Sequence, residues 1–280
     1  MGEGLVEAAD AKVSVFDHGL LYGDGIFEGI RVYSGKVFEL EAHMKRLYES
    51  AKFIRMDIPM TIEEITSATE QTVKANGITD GYIRLIVTRG AGSLGLNPFN
   101  CEKSMIIIIA DQIQLYPEEF YEKGMKVVSS SVLRNHPLAI SPQVKSLNYL
   151  NNILAKIEAL DHGVSEAIMF NHLGFVAEAT GDNIFIVKSG VIYTPPVEAG
   201  GLSGITRRVV MDLAKEEGLT VVEKNLTKFD LYIADEFFLT GSAAEVIGIV
   251  EMDKRVIGDG TPGSVTRLLR KNFFDYANSR

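Results

Sequence analysis

Val144-Lys145-Ser146-Leu147-Asn148-Tyr149 stands directly ahead of the apolar series Leu150, Ile153, Leu154, Ile157 and Leu160. Together with Leu147 the series recurs every three or four residues and stops at Gly163, which predicts an amphipathic helix with its stripe packed inward. A lysine and a phenol therefore share one short turn at the entrance to that helix. An amine that can condense with an aldehyde, with a phenol on the same turn, is minimal equipment for holding an aldehyde cofactor. Junctions carry sites more often than helix faces do. Yet most of the 28 lysines and arginines must be solvated surface charges, so the rest of the chain has to decide the matter.

The 280 residues are 46% hydrophobic and 23% charged, an ordinary globular composition with enough chain for one large or two modest domains. No run approaches the length of a membrane span, and the first twenty residues lack a basic start followed by an apolar stretch. The single cysteine, Cys101, precludes an internal disulfide. Together these favour a soluble, cytoplasmic protein. A formal net charge of -9 with no basic stripe argues against general nucleic-acid binding.

Periodicity predicts strands at Val13 to Phe16 and Gly29 to Tyr33, then helices over Glu41 to Phe53 and Ile62 to Asn76. Strands follow at Tyr82 to Thr88 and Met105 to Ala110, the second apolar enough to be buried on both faces. The polar stretch from Asp111 to Glu122 has no clear period and reads as a linker. Beyond it come strands at Met125 to Ser131, Glu166 to Phe170, Asn183 to Val187, Val191 to Thr194, Thr220 to Lys224 and Glu236 to Thr240. Helices are expected at Thr206 to Glu217 and Ser264 to Tyr276. The expectation is an α+β chain with a small N-terminal domain (1–111), a linker (112–122) and a larger C-terminal domain (123–280).

Gly200-Gly201-Leu202-Ser203-Gly204-Ile205-Thr206-Arg207 runs into a helix, where unpaired amides and the positive dipole end suit a phosphate. An ordinary loop with Thr206 as helix cap is an equal reading of this stretch. Thr240-Gly241-Ser242-Ala243-Ala244 is a second turn of small residues suited to an anion. Neither is a nucleotide phosphate loop or a dinucleotide fingerprint. The five histidines lack metal-ligand spacing, and no serine-hydrolase elbow occurs.

Four motifs in order, Tyr22 to Arg31 (Tyr-Gly-Asp-Gly-Ile-Phe-Glu-Gly-Ile-Arg), Lys145 to Tyr149, Glu178 to Phe185 and Gly204 to Arg207, resemble the fold-type IV pyridoxal-phosphate enzymes. Within them the chain is similar to the branched-chain amino acid aminotransferases, from about Val13 to the C-terminus. The resemblance implies two α/β domains with pyridoxal 5'-phosphate between them. It implies transfer of the amino group of L-leucine, L-isoleucine or L-valine to 2-oxoglutarate by a homodimer or larger homo-oligomer. The family's first strand is expected to be short or missing here.

By the same resemblance, Lys145 forms the internal aldimine and then moves the α-proton. Glu178 faces the pyridine nitrogen and keeps the ring an electron sink. Tyr149 bonds the ring oxygen, while Arg46, whose planar fork suits phosphate, shares the phosphate with Gly204, Ile205, Thr206 and Ser242. The substrate carboxylate falls to the turn at Ser242 and Ala243 with Tyr82 and Arg84, which alternation places on one strand face. Tyr22, Phe27 and Arg31 line the side-chain pocket, and Leu94 and Leu96 enter it from a neighbouring subunit. No metal is implied. As isolated residues, Arg46 and Glu178 would be read as surface charges, and the aromatics as core.

Two relatives compete. D-amino acid aminotransferases share the wording around Lys145, but usually carry tyrosine where Phe27 stands and an Arg-x-His carboxylate trap that the loop from Ala91 to Pro98 lacks. Aminodeoxychorismate lyases use the same lysine for elimination, and Tyr82, Arg84 and Arg31 weigh against them.

Overall fold

The computed structural model describes residues 4–113 and 116–279. The chain forms two compact units, one of residues 4–113 with Val144–Asn148 and one of 116–143 with 149–279.

In the first unit, α1 (His18–Tyr22), β1 (Gly25–Tyr33), β2 (Lys36–Val37), α2 (Leu40–Phe53), α3 (Ile62–Ala75), β3 (Gly81–Thr88) and β4 (Met105–Asp111) follow in order. The strands make an antiparallel sheet in the order β2-β1-β3-β4. Alternation along the strands sends Ile26, Ile30, Val32, Ile83, Leu85 and Val87 into one core with Met44, Leu47 and Ala51 of α2 and Ile65 and Val73 of α3. A reciprocal capping box starts α3: Glu64 N donates to Thr61 Oγ1 at 3.2 Å and Thr61 N to the Glu64 carboxylate at 2.7 Å.

The second unit contains α4 (Glu118–Lys123), β5 (Met125–Ser129), α5 (Leu150–Asp161), β6 (Glu166–Phe170), β7 (Val176–Ala179), β8 (Asn183–Lys188) and β9 (Val191–Thr194). It continues with α6 (Ile205–Glu216), β10 (Val221–Glu223), α7 (Lys228–Tyr232), β11 (Glu236–Gly241), β12 (Glu245–Met252), β13 (Arg255–Val256) and α8 (Ser264–Ser279). The mixed sheet runs β10-β9-β8-β11-β12-β5-β6-β7, with β13 beside β12. Its pairs β9/β10, β5/β12 and β5/β6 are parallel, the others antiparallel. Phe185 and Phe238 stack on adjacent strands with ring centres 5.0 Å apart.

Several expectations need correction. Residues 13–16 form no strand, and the chain turns there into the short helix α1, capped by the Asp17 carboxylate. β4 is not buried on both faces: it is the edge of its sheet and leaves Ile109 49% exposed. The stretch 112–122 is not a plain linker, since α4 occupies its end and Arg270 of α8 ties down the Tyr121 carbonyl and Glu118. Gln114 and Leu115 of that stretch lie outside the described residues. Nor does everything after residue 122 belong to the second unit, because Val144–Asn148 pairs with β1. Strands β7 and β12 and helix α7 are elements that periodicity does not announce.

The largest correction concerns α5. Its buried residues are Asn152, Ala155 and Ala159, whereas Leu150, Ile153, Leu154, Ile157 and Leu160 point outward at 46 to 67% exposure. Small alanines let the helix lie close on β6. The apolar stripe exists as its spacing predicts, but on the outer side of the helix rather than the inner.

Candidate active site

Lys145 is held by its backbone. Phe27 N donates to the Lys145 carbonyl and Leu147 N to the Gly25 carbonyl, both at 2.9 Å, around an antiparallel bridge between Ile26 and Ser146. The Asn148 side chain donates to the Gly23 carbonyl at 2.9 Å. The segment is in effect a short extra strand on β1, which explains why it belongs to the first unit. Tyr149, the next residue, opens α5 in the second.

The pairing places the Lys145 Nζ 4.6 Å from the centre of the Phe27 ring. On the same face Arg84 approaches that ring at 4.4 Å and the Tyr82 ring at 5.6 Å. The register explains this: Gly29 faces Arg84 and Arg31 faces Tyr82, so odd residues of β1 and even residues of β3 share one side. Tyr82 and Arg84 thus lie on one face as alternation predicts. Gly29 leaves room for the Tyr82 hydroxyl there, and a Cβ in its place would force that side chain to move. Arg31 lies over the Tyr33 ring at 5.1 Å. The Tyr22 hydroxyl accepts from Gly95 N at 3.0 Å, which ties α1 to the loop bearing Leu94 and Leu96, themselves 72% and 81% exposed.

The other face of β1 carries Glu28, fully buried among the core isoleucines. Arg46 grips it with both arms of its fork, Nε to Oε1 at 2.8 Å and Nη2 to Oε2 at 2.7 Å. His43 Nδ1 lies 2.8 Å from Oε2. Burial alone would raise the Glu28 pKa, but the Arg46 charge and the hydrogen bonds of both partners overcome it and bring the group down to about 2. Sequence reasoning passes over Glu28 and His43, although a carboxylate inside Ile26-Phe27-Glu28-Gly29-Ile30 demands a buried partner, and His43 and Arg46, three residues apart on one helix face, supply it.

In the second unit Glu178 sits on β7, 5% exposed. Arg134 Nε donates to its Oε1 at 2.7 Å and Leu202 N to its Oε2 at 2.8 Å. Arg134 is positioned in turn by Asn151, whose Oδ1 accepts from Nη1 at 3.0 Å. The Leu202 carbonyl accepts from Asn183 at 2.9 Å, so this one residue fastens the glycine-rich loop to Glu178 through its amide and to β8 through its carbonyl. Arg134 has no signal in the sequence, because nothing local connects it to Glu178, 44 residues away.

That loop leads into α6. Gly204, not Thr206, is the cap residue, and no side chain caps the helix, so the reading of Thr206 as an ordinary cap is set aside. A Cβ on Gly204 would strike the Asn183 side chain. The first amides of α6 have no acceptor within the helix, and the hydroxyl oxygens of Thr206 and, on β11, Thr240 are buried without a partner among the described residues. Arg207 is turned away, donating to the Pro195 carbonyl at 3.0 Å and to Glu223. Ser242 and Ala243 form the turn between β11 and β12. Unpaired amides and orphaned hydroxyls are what a phosphate oxygen requires, and an anchored carboxylate is what a protonated ring nitrogen requires. The donor set fits a phosphate-bearing pyridine aldehyde. Among the described residues no group of histidine, cysteine and carboxylate side chains could hold a metal ion.

The comparisons agree with this chemistry. A Methanocaldococcus jannaschii protein is 53% identical over 271 residues, covering 97% of this chain and 93% of its own. The branched-chain-amino-acid aminotransferase of Pseudomonas aeruginosa is 42% identical, over 99% of this chain and 91% of its own. A branched-chain amino acid aminotransferase of T.th., solved with pyridoxamine 5'-phosphate, superposes with a TM-score of 0.94 at 39% identity, over 98% of this chain and 92% of that one. The model described as amino-transferase class IV matches residues 25–252, a span that takes in both the Lys145 segment and the Glu178 loop, and the chain belongs to that family.

Proposed function

We propose that the chain transfers the amino group of L-leucine, L-isoleucine or L-valine to 2-oxoglutarate with pyridoxal 5'-phosphate as cofactor. The observation that carries this reading is the Lys145 amine poised over Phe27, on the strand face that also bears Tyr82 and Arg84. When bound, the cofactor supplies an aldehyde that receives the amino group and a ring that accepts electrons from the α-carbon.

The remaining steps belong to the protein. Lys145 Nζ removes the proton from the donor's α-carbon and delivers one in the reverse half with the acceptor. Glu178, fixed by Arg134 and Leu202 N, presents a negative charge to the ring nitrogen. Tyr149 donates to the ring oxygen. Arg46 and Ser242, with Gly204, Ile205 and Thr206 at the α6 entrance, hold the phosphate. Tyr82 and Arg84, with Ser242 and Ala243, take the substrate carboxylate. Phe27, Tyr22 and Arg31 bound the side-chain pocket, where an apolar wall favours branched hydrocarbons by about 1–3 kcal/mol per added methylene.

The visible spectrum of the purified protein tests this. L-Leucine is expected to bleach the cofactor band while D-alanine leaves it unchanged. The reverse result would move the chain to D-amino acids, and absence of any band would remove Lys145 from its role.

A second copy of the chain completes the assembly. Leu150, Ile153, Leu154, Ile157 and Leu160 form a continuous exposed stripe along α5, more apolar surface than a lone soluble helix ordinarily leaves in water. A two-fold axis across one helix makes such a stripe self-complementary. Leu94 and Leu96, exposed on the loop after β3, are the residues offered to the neighbour's pocket. The paired change Ile153→Asp with Ile157→Asp is expected to yield a monomer by light scattering at micromolar concentration, and an unchanged dimer would put the interface elsewhere. No described helix is long and apolar enough to cross a membrane. On the family resemblance we place the reaction in the cytoplasm.

A further inference from the structure

Resting on the role given above to Arg46, we propose that His43 is a positioning residue for the phosphate grip: its Nδ1–H donates to Glu28, and so fixes the carboxylate that aims the Arg46 guanidinium.

The three side chains form a closed set inside the first unit. Glu28 and His43 are fully buried and Arg46 is 9% exposed. Oε2 of Glu28 takes Arg46 Nη2 at 2.7 Å and His43 Nδ1 at 2.8 Å, while Oε1 takes Arg46 Nε at 2.8 Å. Because Glu28 is ionised, it can only accept, so the hydrogen must lie on His43 Nδ1. A forked arginine follows the plane of the carboxylate it grips. The histidine supplies the third point that stops that plane from rotating about the end of the glutamate side chain.

The other ring nitrogen fixes the protonation state. His43 Nε2 is buried with no hydrogen-bond partner among the described residues. A protonated nitrogen there would be an unpaired donor carrying charge in a dry interior, which is far costlier than a bare lone pair. Burial disfavours the imidazolium most, and the positive charges of Arg46 and Lys145 act in the same direction against the pull of Glu28. Those three groups, from α2, the Lys145 segment and β1, are the charges among the described residues that bear on the ring. His43 is thus a neutral donor to Glu28 through Nδ1 and carries an open lone pair at Nε2.

The test separates a grip on phosphate from general stability. Equilibrium dialysis compares the binding of pyridoxal 5'-phosphate with that of pyridoxal, which lacks the phosphate, for the full-length wild type, His43→Leu and His43→Asn. Asparagine places an amide N–H where Nδ1 stands. Loss of a hydrogen bond to a charged group predicts that His43→Leu reduces the preference for the phosphorylated compound about tenfold or more, and that His43→Asn retains most of it. An unchanged preference in His43→Leu, an equal loss in both variants, or equal weakening of both compounds overturns the proposal. Nitrogen-15 spectra of wild-type His43 are expected to show a protonated Nδ1 and a bare Nε2 at neutral pH, the imidazolium forming only below the range of an ordinary histidine because burial disfavours its charge. The opposite tautomer, or an imidazolium at neutral pH, overturns it too, and this reading stands even if His43→Leu fails to fold. Failure of the wild type to bind either compound would instead overturn the cofactor role of this site, a result distinct from indifference to His43.

Discussion

Lys145→Ala is expected to abolish transamination, with a loss of about ten-thousandfold or more, because one amine serves as both nucleophile and proton carrier. The fold should survive. The segment is held through main-chain bonds of Lys145 and Leu147 to Phe27 and Gly25, none of which uses the lysine side chain. Circular dichroism and light scattering should therefore match the wild type, while single-turnover assays with L-leucine show no conversion. Ordinary activity in this variant would sink the assignment of Lys145. Partial rescue by an added small amine would strengthen it, since a free amine can take over the proton transfer but not its positioning.

Glu28→Gln is expected to cost about 3–5 kcal/mol of stability, the usual penalty for removing one partner of a buried ion pair. Arg46 would then be left with a neutral amide in a site from which water is excluded. The same residue gives the protein an acid limb whose sign is fixed. The folded-state pKa of Glu28 is lowered from an ordinary 4.5 to about 2, so its contribution is complete above about pH 5 and fades as pH falls toward 2. A shift of this size corresponds to about 3 kcal/mol. Denaturant titrations between pH 6 and 2, on the scale over which such a carboxylate titrates, should show the wild type losing that stability and Glu28→Gln losing correspondingly less. Parallel slopes for the two proteins would show that Glu28 is not the carboxylate responsible.

Much of this is legible in order along the chain. The helices over α2, α3, α6 and α8 and the central strands β1, β3, β6, β8 and β11 follow from periodicity alone, with ends shifted by a few residues. So does the placement of Tyr82 and Arg84 on one strand face, because side chains two apart in a strand must share a side. The four motifs that mark the family are contiguous stretches, each readable without knowing its neighbours in space. Strand β12 is less visible: Glu245–Met252 is interrupted by Gly248, where a Cβ would press on the Pro262 ring beside it.

Local pattern determined that α5 has an apolar stripe, that Lys145 stands at a junction, and that the glycine-rich loop enters a helix. Only the tertiary structure decided that the stripe faces outward, that Val144–Asn148 joins β1 in the first unit, and that Arg134 and Leu202 hold Glu178. Only it paired Glu28 with His43 and Arg46. The reason is one of range. Periodicity states which residues of an element share a face, because backbone geometry repeats over a few residues; which partner covers that face depends on contacts between segments far apart in sequence, where small residues such as Ala155 and Ala159 can win the packing over larger ones by allowing closer approach.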